Sequence, residues 1–123
     1  MSFDLVPSAG VNGVFVAAST DCFPQLSLTD ALQRMVDLEY TRAEIGLHEA
    51  GQQLKPSQVH ADVEEAVKIC KGTHRLTIVA FNIELEGPEQ ETYDQFASCC
   101  KLAKALKVVQ ITVRASELGT PFN

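Results

Sequence analysis

Four short apolar runs recur about every 30 residues with helical stretches between them, and this alternation most limits what the chain can fold into. The runs cover Gly13 to Ser19, Arg42 to Glu49, Leu76 to Glu84 and Val108 to Arg114. Between them, Ser27 is placed to cap a helix whose first turn carries Asp30, where the helix dipole favours a negative charge. Leu28, Ala31, Leu32, Met35, Val36 and Leu38 keep a helical period to about Glu39. Ala50 to Pro56 reads as a loop. Asp62 and Glu65 form a capping box ahead of Val63, Ala66, Val67, Ile69 and Cys70, and Gly72 suits the C′ position. Gly87-Pro88 precedes a long helix from about Glu89 to Lys107, with Tyr93, Phe96, Cys100, Ala103 and Leu106 as its expected buried stripe. The predicted order is β-α-β-α-β-α-β, with parallel strands in one folding unit over residues 1–123.

Strand side chains alternate between faces, so each run divides into two rows. Ala43, Ile45 and Leu47 share an apolar row, whereas Glu44, Gly46 and His48 share one that is polar and small. The pattern returns at Asn82 and Glu84, and again at Gln110, Thr112 and Arg114. A doubly wound sheet buries both faces under helices and has no use for such rows; a barrel with a wet mouth does. Ser19-Thr20-Asp21-Cys22 follows the first run where a nucleotide-binding fold would carry a glycine-rich loop. The fold expected is therefore α/β, a partial (β/α)8 barrel. A full barrel takes about 250 residues, so the 123 here make about half of one. Pro121-Phe122-Asn123 reads as the entry to a further helix, as in a truncated chain. Half a barrel leaves strand edges and an apolar flank open, and self-association through that edge is expected.

Charge and cysteine content narrow the function. A net charge of −6 with no basic run argues against a nucleic-acid surface. The longest apolar stretches fall well short of the ~20 residues of a membrane helix, and Met1-Ser2-Phe3-Asp4 does not open a signal peptide. The compartment expected is the cytoplasm. Cys22, Cys70, Cys99 and Cys100 form no Cys-x-x-Cys pair, so they read as reduced thiols rather than a zinc site.

The runs Ser27-Leu-Thr-Asp-Ala-Leu to Leu38, Ala43-Glu-Ile-Gly-Leu-His48, Asn82-Ile-Glu84 and Arg114 to Asn123 together carry a likeness. The chain after Asn12 resembles the N-terminal half of the xylose-isomerase-like TIM barrels, the sugar phosphate isomerase/epimerase group. It departs from them at Glu39-Tyr40, where the family usually has a glycine before an aromatic. The resemblance implies a metal-dependent enzyme that transfers a proton next to a carbonyl of a sugar or sugar phosphate. It implies a divalent metal (Mn, Mg, Zn or Co) held mainly by the later strands, so no ligand is assignable within these residues. This fragment is expected to be inactive alone and to supply one wall of the pocket.

Three residues are the substrate-binding candidates. His48 stands at a strand mouth, Glu84 at the corresponding place on the next strand, and Arg114 could take a phosphate or carboxylate bidentately. Glu44 lies deeper and is expected to be buried with a partner. Asp21 and Glu117 are loop acids of low weight, and His60 and His74 are expected to be solvated. The catalytic base is not identified. Two other functions compete: a non-catalytic α/β module binding a ligand or partner through its open flank, and an endonuclease-IV-like relative, which the negative charge disfavours.

Overall fold

The computed structural model describes residues 16–72 and 75–114. The N-terminal arm, the start of the first apolar run, His74, Glu117 and the Pro121 to Asn123 segment lie outside the described residues. The elements in order are β1 (Ala18–Ser19), a 3₁₀ turn (Thr20–Cys22), α1 (Leu28–Asp37), β2 (Arg42–His48), α2 (Pro56–Ala61), α3 (Val63–Lys71), β3 (Thr77–Glu84), α4 (Glu89–Leu106) and β4 (Gln110–Arg114). The chain is thus mixed α/β, and its four strands form one all-parallel sheet in the order β1-β2-β3-β4.

The register aligns the rows that alternation predicts. Ile45 pairs with Phe81 and Phe81 with Ile111, while Leu47 pairs with Ile83 and Ile83 with Val113. Paired residues of a parallel sheet point the same way, so these form the apolar face. One bulge in β3 skips Val79 between the Ala43–Ile78 and Glu44–Ala80 pairs, and it keeps the rows in phase up to the strand ends. The core is continuous. Leu32 and Met35 of α1, Val59 of α2, Cys70 of α3 and Leu102 of α4 cluster with Ala43, Ile45, Leu47, Phe81 and Ile83. All four helices therefore cover one face. Among the described residues no helix covers the other, which carries Glu44, Gly46, His48, Asn82, Glu84, Thr112 and Arg114.

Helix ends follow their capping chemistry. Ser27 Oγ accepts from Asp30 N at 3.1 Å, and Asp62 Oδ1 accepts from Glu65 N at 3.0 Å. α1 closes in a Schellman motif: Glu39 N donates to Val36 O at 2.9 Å and Tyr40 N to Met35 O at 3.0 Å. That motif needs a left-handed residue, and Glu39 supplies it at φ 72°. A glutamate there meets Cβ strain that glycine avoids. Glu39→Gly is expected to raise stability by about 0.5–1 kcal/mol, read as a higher urea midpoint at unchanged m-value. A lower midpoint would show that the Glu39 side chain contributes more than its backbone costs.

Two expectations are corrected, on α2 and on α4. The segment after the Ala50–Pro56 loop folds as the separate helix α2, started by Pro56 at its first position and by Gln58 Oε1 accepting from Lys55 N at 2.9 Å. His60 on that helix is exposed as expected, and its Nδ1 also meets Ser98 Oγ of α4 at 2.8 Å. Of the expected α4 stripe, Ala103 is buried and Phe96 and Leu106 pack partly buried against the core, whereas Tyr93 is exposed and Cys100 only half-buried; Thr92, Ser98, Cys99 and Leu102 complete the buried set. α4 must touch α2 and α3 as well as the sheet. The small Ser98, Cys99 and Ala103 permit that approach. Burial pushes the Cys70 and Cys99 thiols up to about 12, so both behave as inert core residues. Among the described residues, no helix is long and apolar enough to cross a membrane.

Candidate functional site

The helix-free face becomes a site at the carboxyl end of the sheet, where the chain leaves β1 and β2. The 3₁₀ turn after β1 is held from three directions. Ser19 Oγ accepts from Asp21 N at 3.1 Å. The fully buried Thr20 takes the Gly46 N–H on its Oγ1 at 2.9 Å. Gln53 Nε2 donates to the carbonyls of Thr20 at 3.1 Å and Phe23 at 2.9 Å. A backbone pinned this way leaves the Asp21 carboxylate little choice of direction. It lies over Gly46.

Asp21 Oδ1 meets His48 Nε2 at 2.7 Å, and Asn82 Nδ2 donates to Asp21 Oδ2 at 3.1 Å. On the far side of the imidazole, His48 Nδ1 faces Glu84 Oε1 at 3.4 Å, while Arg114 Nη1 donates to Glu84 Oε2 at 3.0 Å. The three predicted residues thus stand in one row across β2, β3 and β4, in direct register at His48–Glu84 and Glu84–Arg114. Exposure rises along that row. The His48 side chain is 21% exposed, Asp21 and Glu84 are 34% and 36%, and Arg114 is 66%. A pocket opens beside the Asp21–His48 pair, lined by Asp21, Pro24, Gly46, His48 and the loop Gly51, Gln52 and Gln53.

Two roles change. Both His48 nitrogens face carboxylates, so the oxygens left for a ligand are those of Asp21 and Glu84. Asp21, a loop acid of low weight in the sequence, is therefore central. Its signal was its position directly after the first apolar run, the same strand-end rule that picks out His48. Glu44 is half-buried, but among the described residues no hydrogen bond or ion pair reaches its carboxylate, contrary to the partner expected. Glu49, next to His48, is structural: its Oε1 accepts from Ser57 N at 3.0 Å and its Oε2 from Ser57 Oγ at 2.7 Å, fastening the start of α2.

A divalent metal would have to compete with the contacts that the oxygens of Asp21 and Glu84 already make. Each oxygen of Asp21 already has one partner, His48 or Asn82, and one oxygen of Glu84 has Arg114, so only their remaining lone pairs are open. Among the described residues no group of three or more His, Cys, Asp or Glu is placed to hold an ion. These residues do not make a metal centre by themselves, and no step below passes through one. No family model matches the chain, and no curated protein or solved structure matches it.

Proposed function

We propose that this chain is one wall of a (β/α)8-type barrel enzyme, a sugar or sugar phosphate isomerase or epimerase that moves a proton next to a carbonyl. The observation that carries the reading is the row Asp21, His48, Glu84 and Arg114 at the carboxyl ends of the strands, on the face no described helix covers. Consecutive strand order with every helix on one side is what a segment of such a barrel requires. Doubly wound sheets instead reverse their order and cover both faces. In this reading the half-exposed oxygens of Asp21 and Glu84 accept hydrogen bonds from sugar hydroxyls. Arg114 keeps the rest of its guanidinium for a phosphate or carboxylate.

The test is a titration of the chain with an aldose, a ketose and their phosphates, followed by amide chemical shifts. Weak, millimolar binding is expected at Gly46, His48 and Glu84, tighter for the phosphates. Arg114→Ala should remove the preference for phosphate. No shift at these amides with any sugar would sink the reading. The second reading, a non-catalytic module that binds a partner or a second copy, draws on β4. Val113 in β4 is 39% exposed and Val109 just before it 83%, beside an edge with no described neighbouring strand.

A further inference from the structure

We infer that His48 passes protons between the carboxylates of Asp21 and Glu84, so that the two acids work as one linked pair. The inference rests on the pocket reading above and adds a mechanism to it.

The geometry has three parts. One ring nitrogen is in close hydrogen-bond contact with a carboxylate, His48 Nε2 to Asp21 Oδ1 at 2.7 Å. The other, Nδ1, is buried and without a hydrogen bond, yet it faces a second carboxylate oxygen, Glu84 Oε1, at 3.4 Å. Each carboxylate is steadied at its other oxygen by a donor that cannot accept a proton, Asn82 for Asp21 and Arg114 for Glu84. A purely structural histidine would use one nitrogen on a carboxylate and the other on a donor or a carbonyl. Two carboxylates compete here for the protons of one ring. Shortening the Nδ1 contact by about half an ångström brings it into hydrogen-bond range.

Both carboxylates are about one-third exposed, but the ring between them is more enclosed. The pocket reaches one end of the path, the Asp21 carboxylate, together with the edge of the ring, and the Glu84 carboxylate is the other solvent-accessible end. The short contact favours the resting proton of the ring between Nε2 and Asp21 and leaves Nδ1 open towards Glu84. Glu84 takes a proton as the ligand's C–H or O–H bond breaks, and passes it to Nδ1. The proton on Nε2 moves to the Asp21 carboxylate, which returns a proton to the ligand at a second position. Protons balance. The ring ends with its proton on Nδ1 instead of Nε2, and exchange with water at the two partly exposed acids resets it. Removal at one atom and return at another is what an isomerase needs.

The test requires no ligand. In the full chain labelled with ¹⁵N-histidine, long-range proton–nitrogen spectra report which ring nitrogen carries the proton. Asp21→Asn leaves only Glu84 charged and is expected to move the His48 proton towards Nδ1. Glu84→Gln leaves only Asp21 and is expected to move it towards Nε2. The wild-type chain should show both nitrogens at averaged positions. A proton fixed on Nε2 in all three proteins, or both nitrogens fully protonated in all three, overturns the inference. The wild-type spectrum is decisive alone if a variant does not fold: two limiting positions, one bare and one protonated, also overturn it. Either failure leaves the sugar titration free to succeed, and failure of that titration leaves the proton path standing.

Discussion

Replacing Gly46 by alanine is expected to break the Asp21–His48 pair while the sheet itself survives. Gly46 lies in the middle of β2 on the helix-free face, two residues before His48, so the imidazole folds back over it and meets Asp21 there. A Cβ at this position would come within 2.6 Å of His48 Nε2 and closer still to Asp21 Oδ1. Both obstacles are ends of side chains rather than backbone, so the strand can keep its ladder while the two groups swing apart. The loss is then that of a charge-assisted hydrogen bond, about 1.5–3 kcal/mol when well shielded. Partial exposure of both groups lowers it, and removing a strand glycine returns about 0.5–1 kcal/mol. The net expectation is a destabilisation of about 1 kcal/mol, with loss of the His48–Asp21 signature in the imidazole spectrum. A double-mutant cycle locates the effect. In an Asp21→Ala background the same Gly46→Ala change should become neutral or slightly stabilising. An equal cost in both backgrounds would place the clash in the backbone and remove the argument that this glycine serves the site.

Much of this arrangement could be read from the chain because two periodicities sufficed. Alternation in Arg42 to Glu49 put Gly46 and His48 on one face and Ile45 and Leu47 on the other, and the register confirms both rows. The strand-end rule alone groups His48, Glu84 and Arg114, which the register places side by side. What was not legible depends on neighbours distant in sequence. The strand-end signal marked Asp21, but nothing local showed that it would be clamped by Thr20 and Gln53 and laid over a glycine 25 positions away. The α4 stripe is legible only at Phe96, Ala103 and Leu106, because that helix packs on two others as well as on the core, and its own sequence does not say which contact takes precedence. α2 was missed because six residues show too little period, although Lys55-Pro56 marks its start. Glu39 is the reverse case: no glycine marks the end of α1, yet the left-handed turn forms because the Schellman hydrogen bonds and the packing of Tyr40 require it.

Phe81→Ala should bring the largest loss of stability of any change considered. Phe81 is fully buried at the centre of β3, between Ile45 and Ile111 in register, on the face all four helices cover. Truncating a phenylalanine in such a place removes its transfer energy and leaves a cavity that a bulged, hydrogen-bonded strand can only partly close, about 3–5 kcal/mol. Against a domain stability of about 5–15 kcal/mol, that consumes a large share, and the urea midpoint should fall to near the onset of unfolding. Val113 is the control. It lies on the same apolar face, one strand over and one layer up, but it is 39% exposed because no described helix covers the outer side of β4. Val113→Ala should therefore cost less than about 1 kcal/mol in the monomer, since little apolar area leaves contact. The comparison also bears on how the chain exists in solution. If Val113→Ala costs nearly as much as Phe81→Ala, and the cost grows with protein concentration, then β4 is covered by a second copy. In that event the exposed Val109 and Val113 are part of an interface, and partner binding through the open edge becomes the better account of this face.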